Sequence, residues 1–165
     1  MSLSPVVETF LYQHKIPFDV VEHPHTSNSV QTAHSSHLTL SQLAKAVVVR
    51  DHQHYVMCVL PASHLLVMDS VDSHCSGRYK LVTEKELGKL FPDCETGAVP
   101  AVGEAYGMKV VWDNRLVDAE EIYFEGGDHR HLIHVGDEFH ALIEASDHAD
   151  ISSTPDMVDY YQHLH

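Results

Sequence analysis

The stretch Lys45–Pro61, "KAVVVRDHQHYVMCVLP", decides how this chain folds. Two apolar runs, "KAVVVRD" (Lys45–Asp51) and "YVMCVLP" (Tyr55–Pro61), flank the polar tip "HQH". That pattern predicts a β-hairpin. In strand geometry Lys45, Val47 and Val49 share one face, while Ala46, Val48 and Arg50 share the other. Lys45 is out of keeping with its neighbours, because it sits between two alanines and opens onto three valines. Either it lies just outside the core and reaches its ammonium into water, or it is a cation at the rim of a pocket, aimed at a ligand phosphate or carboxylate. The chain has only 10 lysines and arginines among 165 residues, which adds weight to each.

Upstream of the hairpin, Ser4-Pro5 reads as an N-cap followed by proline at the first helical position. Val7, Phe10 and Leu11 form the apolar face of that helix, which ends near Lys15. "FDVVEH" (Phe18–His23) is a short strand closed by Pro24, and Ser29–His37 a short helix. Downstream, Thr83 and Glu86 have capping-box spacing, which predicts a helix from Glu84 to about Phe91, stopped by Pro92. "MKVVWD", "EEIYFE" and "HRHLIHV" are three further strands. Asp137 caps a last core helix, "EFHALIEA", with Phe139, Leu142 and Ile143 on one face. Residues 1–150 are expected to form one domain. The tail, 151–165, forms a short helix after Pro155 and is dispensable to the core.

Neighbouring strands that read as hairpins, without regular strand–helix–strand alternation, predict an α+β domain with a mixed, mainly antiparallel sheet flanked by helices. A doubly wound nucleotide fold is excluded by the lack of GxGxxG and GxxxxGK[ST] motifs. The longest apolar runs fall far short of the roughly 20 residues of a membrane helix, and "MSLSPVVETF" has no secretory pattern. Cys58, Cys75 and Cys94 are odd in number with no CxxC pair, which predicts reduced thiols and a cytoplasmic location.

The formal charge is −14 with histidine neutral, and there are 16 histidines. Full protonation of those histidines would reverse the sign, so charge changes steeply just below neutrality. Such an acidic surface repels nucleic acid on average. A polyanionic partner would therefore have to be met by a small local cationic site.

Two further segments could carry chemistry. "ETGAVPAVGEAYG" (Glu95–Gly107) places Gly97, Gly103 and Gly107 in a loop whose backbone can approach a ligand, or which simply connects a helix to a strand. Successive amides in such a loop form a concavity for anions or carbonyl oxygens. "EGGDHRHLIH" (Glu125–His134) sets His129 and His131 alternating on a strand after Asp128, and His52 and His54 repeat the spacing. No compact set of three or four ligands accompanies either pair, so no metal site and no cofactor is assigned. Asp113 ends a strand and can cap the following turn. A serine nucleophile is not expected without a GxSxG elbow, and Cys58 reads as a small core residue.

In order and spacing, "VVEHPHT", "LAKAVVVRD", "YVMCVLPA", "TGAVPAVG" and "VVWDNRLVDAEEIYFEGGDH" resemble the YbaK/prolyl-tRNA synthetase-associated editing domain family of aminoacyl-tRNA deacylases. The resemblance spans roughly Val7 to Ala145. It implies an α+β domain with a barrel-like mixed sheet, and hydrolysis of the ester joining a wrong amino acid, such as alanine or cysteine, to the 3′ end of a tRNA, typically the proline tRNA. The family's lysine maps onto Lys45, and the glycine of its glycine–proline loop onto Gly97. The usual GxxxP spacing would put proline at 101, where this chain has Ala101, with Pro100 one place earlier. That departure bears on activity and substrate choice. His23, Pro24, Val30, Ala98, Val99, Pro100, Ala101, Gly103, Asp113, Asp128 and His129 complete the expected substrate-binding set. The partners implied are the tRNA acceptor end, met weakly and locally, and an aminoacyl-tRNA synthetase. A catalytically silent homologue binding an amino acid, nucleotide or protein is the alternative, and a histidine-rich metal-binding protein a third.

Overall fold

Capping groups and apolar spacing fix the elements of the computed structural model, which describes residues 3–26 and 28–156. Helix α1 (Pro5–Gln13) begins where Ser4 Oγ accepts the amide of Val7 at 3.3 Å, and it buries Val7, Phe10 and Leu11. Strand β1 (Phe18–Glu22) follows. Helix α2 (Ser29–Ser35) is capped by the Asn28 side chain, which accepts from the Gln31 amide at 2.9 Å. The hairpin is β2 (Ala44–Arg50) and β3 (Tyr55–Pro61). Its tip is tied by the Asp51 carboxylate, which accepts from the amides of Gln53 at 2.8 Å and His54 at 2.6 Å.

Next come β4 (Leu65–Leu66), α3 (Met68–Cys75), β5 (Lys80–Leu81) and α4 (Glu84–Leu90). The predicted capping box is present in α4, where Thr83 Oγ1 accepts the Glu86 amide at 3.2 Å. A 3₁₀ turn (Gly103–Tyr106) leads into β6 (Lys109–Asp113), α5 (Asn114–Val117), β7 (Ile122–Glu125) and β8 (His131–Val135). Helix α6 (Asp137–Ala145), β9 (His148–Ala149) and β10 (Ser152–Ser153) complete the described chain. Gly136 occupies the N-cap of α6, and Asp137 is its first helical residue. The expected cap is thus one place late, although its carboxylate still lies at the positive end of the helix dipole.

A five-stranded sheet has the order β5-β2-β3-β6-β9, and a three-stranded antiparallel sheet the order β1-β8-β7; β10 and β4 form a separate ribbon. The larger sheet is mixed, because β3–β6 and β6–β9 are parallel while β2–β3 and β2–β5 are antiparallel. A parallel bridge between Leu43 and Tyr123 joins the two sheets at one corner. The strands therefore wrap without closing into a barrel.

Alternation along the hairpin separates two cores. Ala44, Val48, Met57, Val59, Val110 and Trp112 face inward, against Ile122, Phe124, Ile133 and Val135 of the smaller sheet and Phe139 and Ile143 of α6. On the outer face, Val49, Val56, Cys58 and Val111 pack with Val71 of α3 and Ile151. Ile151 is fully buried, a contribution of about 2 kcal/mol for a side chain of that size. Ser152–Ser153 pairs with β4. The expectation that the chain is dispensable from Ser152 onward thus fails at its first residues, because the second core needs a lid. The helix expected after Pro155 begins at Pro155–Asp156 and otherwise lies outside the described residues.

Candidate active site

The glycine loop and the β7–β8 turn meet side to side. Gly97 adopts φ +82°, and a β-carbon there would lie 3.4 Å from His129 Cε1. The His129 ring is held at this same edge, with Nε2 donating to the Thr96 carbonyl at 2.5 Å; a carbonyl has no proton to give, so this nitrogen must carry one. Ala98 N–H is engaged by the Glu95 carbonyl at 3.0 Å. That leaves the amides of Gly97 and Val99 as the loop's candidate donors.

His129 itself is not on a strand. It has φ +59° and precedes β8, so the expected His129/His131 alternation does not exist. Asp128 instead organises the turn. Its carboxylate is fully buried and accepts from the amides of Arg130 at 2.9 Å and His131 at 3.0 Å and from His131 Nδ1 at 2.6 Å. Burial pushes this carboxyl up, but those hydrogen bonds outweigh it and hold it below the usual aspartate range. The segment after β1 lies alongside: His23 N–H donates to the Arg130 carbonyl at 2.8 Å and Thr26 N–H to the His129 carbonyl at 3.3 Å.

Glu125 ends β7 beneath this turn. Thr32 of α2 donates to its Oε1 at 3.4 Å, while Oε2 is buried without a partner among the described residues. Burial raises the carboxyl to about 7, against the opposing pull of His129 and of the Thr32 hydrogen bond. Nothing in the residue pattern marks it, because the last residue of "EEIYFE" looks like an exposed strand end. His25, whose ring meets that of His129 edge-on, and Glu95, 3.5 Å from His25, were missed for the same reason. Their proximity comes from loops that only the fold brings together.

Lys45 is on the outer face, since Ala44 and Val48 point into the main core. From the Leu43–Tyr123 bridge, β2 and β7 run the same way. Lys45 and Glu125 each stand two residues beyond the bridge, on the face of their strand turned away from the main core. Burial lowers the Lys45 ammonium from its ordinary value. Among the described residues no carboxylate forms an ion pair with it. Nearby, His64 is held low by burial and by the charges of Arg115 and Lys45, against the pull of Asp113.

A model of the aminoacyl-tRNA editing domain matches residues 23–140, a span that contains Lys45, Gly97, Glu125 and His129. This chain belongs to the aminoacyl-tRNA editing domain family. Solved structures share its fold. The crystal structure of "hypothetical protein APE2540" superposes with a TM-score of 0.80 at 20% identity, covering 90% of this chain and 99% of that one. That of "a putative trans-editing enzyme for prolyl tRNA synthetase" gives 0.79 at 22%, covering 92% and 99%. The same fold occurs within a longer chain, a "Putative signal transduction protein" from Marinobacter aquaeolei VT8, with a TM-score of 0.72 at 16% identity, covering 92% of this chain and 31% of that one. No curated protein matches the chain.

In this editing domain the expected site residues fall into two sets. His23, Gly97, Asp128 and His129 come together as described. Ala101 packs into the main core, and a β-carbon at Gly103 would lie 2.8 Å from Val110 Cγ2, so these two positions serve packing. Ala98 and Pro100 are buried beside them, with Val99 partly buried against the core. Pro24 and Val30 are exposed, Val30 at 64%. Asp113 is fully buried and caps α5, accepting from the Arg115 amide at 2.9 Å. It also accepts from Ser152 Oγ at 2.7 Å and the Ile151 amide at 3.2 Å. Its role here is to fasten the chain end to β6. Among the described residues no group of three His, Cys, Asp or Glu side chains is arranged to hold a metal ion. No helix among them is long and apolar enough to cross a membrane.

Proposed function

We propose that this editing domain is a free-standing aminoacyl-tRNA deacylase. In the reaction, water adds to the ester carbonyl, the bond to the 3′ oxygen breaks, and a free amino acid and an intact tRNA end are released. The observation that carries the reading is the family match over residues 23–140, which includes both the unpaired Lys45 and the left-handed Gly97.

The chemistry suits a site without a nucleophilic side chain. An ester is already activated, so the protein has to orient water and stabilise the oxyanion. Amides at Gly97 and Val99 would supply donors, each worth about 3 kcal/mol in the transition state. Lys45 would bind the phosphate of the terminal nucleotide. As an ammonium it has no lone pair to act as base, and the family resemblance assigns help in activating the water to the tRNA's own 2′-hydroxyl. The Leu43–Tyr123 bridge supports a shared cleft, because Lys45 and Glu125 each follow it by two residues and Glu125 ends the strand before the turn that carries His129.

The first candidates for substrate are alanine or cysteine esters of the proline tRNA. One methylene changes binding by only roughly 1–3 kcal/mol, so a synthetase cannot cleanly reject a smaller amino acid, and a second, size-excluding site corrects the error. Such a substrate arises where translation runs, which places the activity in the cytoplasm. With a formal charge of −14, contact is limited to the acceptor end. Affinity and salt dependence should then be small, and a synthetase is the expected helper.

Purified protein incubated with a panel of mischarged tRNAs tests the reading. Cleavage of at least one ester, lost in Lys45→Ala, is expected; equal rates for both proteins across the panel would remove it. The displaced proline, Pro100 in place of a proline at 101, favours a second reading, a silent homologue that binds an aminoacyl or nucleotide ligand. Ligand-dependent melting without turnover would establish it.

A further inference from the structure

On the segments that meet at the β7–β8 turn, three buried polar atoms have no partner among the described residues: Glu125 Oε2, His129 Nδ1 and His23 Nε2. Both histidines are only 5% exposed. Buried polar atoms are normally hydrogen-bonded, and orphans call for an explanation. Here their chemistry is the same. His129 Nε2 donates to the Thr96 carbonyl, and His23 Nδ1 donates to the Pro24 carbonyl at 2.7 Å. In a neutral imidazole whose one nitrogen carries the proton, the other is an acceptor. Glu125 Oε2, once the carboxyl has lost its proton, is an acceptor as well. The site thus offers three acceptors, and among the described residues no lysine or arginine forms an ion pair with Glu125.

A primary ammonium group has three protons and a positive charge. We propose that Glu125, together with His129 and His23, receives the α-ammonium group of the aminoacyl ester, so that the site accepts amino acids only with a free amine. This inference rests on the deacylase reading and adds a recognition element to it. Thr32 holds the other carboxylate oxygen through its hydroxyl, leaving Oε2 for the ligand. The side chains that bear on this carboxylate are Thr32 from α2, His129 and Asp128 from the β7–β8 turn, and Glu95 from the glycine loop. The two acidic neighbours strengthen the preference for a cation. The arrangement also fits editing logic: an amine anchored beside Gly97 would fix the carbonyl next to the loop amides and leave the side chain to be measured by size.

The test compares alanyl-tRNA with the same tRNA carrying lactate, in which a hydroxyl replaces the ammonium, and with N-acetylalanyl-tRNA. Each enzymatic rate is divided by the spontaneous hydrolysis rate of that ester. An enhancement at least tenfold larger for the alanyl ester than for the other two is expected. Glu125→Gln, checked for folding by its melting curve, should reduce the alanyl enhancement at least fivefold more than the lactyl one. Equal enhancement for alanyl and lactyl esters, or an equal loss on both in Glu125→Gln, overturns the inference while leaving the deacylase reading intact. If the wild-type protein cleaves no ester at all, the deacylase reading falls, and stable 3′-amide analogues decide the recognition question. Tighter binding of the alanylamide than of the lactylamide to 3′-amino-adenosine supports the ammonium site, and equal binding removes it.

Discussion

Gly97 and His129 touch across two loops far apart in sequence: a β-carbon built on Gly97 would approach the imidazole Cε1 to 3.4 Å. The contact depends on a φ of +82° at Gly97, where side chains are strained. A non-glycine residue in that region costs about 1–2 kcal/mol.

Gly97→Ala should therefore destabilise the protein by about 1–2 kcal/mol in urea unfolding, because a side chain is strained in the left-handed backbone there. Deacylation should fall by far more than this loss of stability accounts for, since the loop amides move with the residue. Gly97→Asn, which tolerates the left-handed region better, should recover part of the stability and little of the activity. An alanine variant with unchanged stability and turnover would show that the loop geometry is immaterial.

Lys45→Met separates function from folding. Methionine keeps most of the aliphatic volume and removes a partly desolvated, unpaired ammonium, so the variant should match or exceed the wild type in stability, within about 1 kcal/mol. Ester cleavage should nonetheless be lost. A variant that unfolds would instead make Lys45 a structural residue.

Glu125 should leave a pH signature on stability. Its carboxyl sits at about 7 in the folded protein, against an ordinary 4.5. Between those values the unfolded chain ionises while the native carboxyl keeps its proton. Stability from this group is therefore fully present below pH 4.5, declines as pH rises toward 7, and is level above that. The full effect is at most about 3 kcal/mol. Glutamine has no such loss, so the stability of Glu125→Gln relative to wild type should grow by roughly 1–3 kcal/mol between about pH 5 and about pH 8. The histidines are common to both proteins and cancel in the difference. Urea midpoints that shift in parallel would place the carboxyl in ordinary solvent.

What the sequence revealed and what it hid follow from the range of the interactions. Alternation from Lys45 to Pro61 and the Thr83/Glu86 capping box are local, and both elements are where that reasoning puts them. Period-two patterning also gives the face on which Lys45 lies, and the mixed, mainly antiparallel pairing is as expected; the division into two sheets and a ribbon is not, because alternation marks a strand's faces and not its partners. Helix α3 was not foreseen, because Val67 gives it no side-chain cap and it buries only Val71. Short strands β4, β5, β9 and β10 are two residues each, below the length at which alternation is legible. At the site, Gly97 and Lys45 stood out as residues ill-suited to their surroundings. Glu125, His25 and Glu95 are ordinary in sequence, and they acquire meaning only where loops separated by tens of residues pack together. His129 misled because a left-handed residue ahead of β8 breaks the alternation that its spacing suggested.

Asp113→Ala tests an expected site residue to which the fold gives a different task. The buried carboxylate accepts from the Arg115 amide, Arg115 Nη1 at 3.4 Å, the Ile151 amide and Ser152 Oγ. Removing it leaves buried donors unpaired, each at about 1–3 kcal/mol. The last strand also loses its tether to β6, which exposes Ile151 and opens the outer core around Val49, Cys58 and Val111. A loss of about 3–4 kcal/mol is expected, with Asp113→Asn intermediate because one amide oxygen can still accept. Amide hydrogen exchange should show protection lost first at residues 149–153 and in α3, ahead of the inner core. If Asp113→Ala keeps its stability and its exchange pattern but no longer cleaves aminoacyl-tRNA, the carboxylate belongs to the reaction, and its hydrogen bonds to the chain end are incidental.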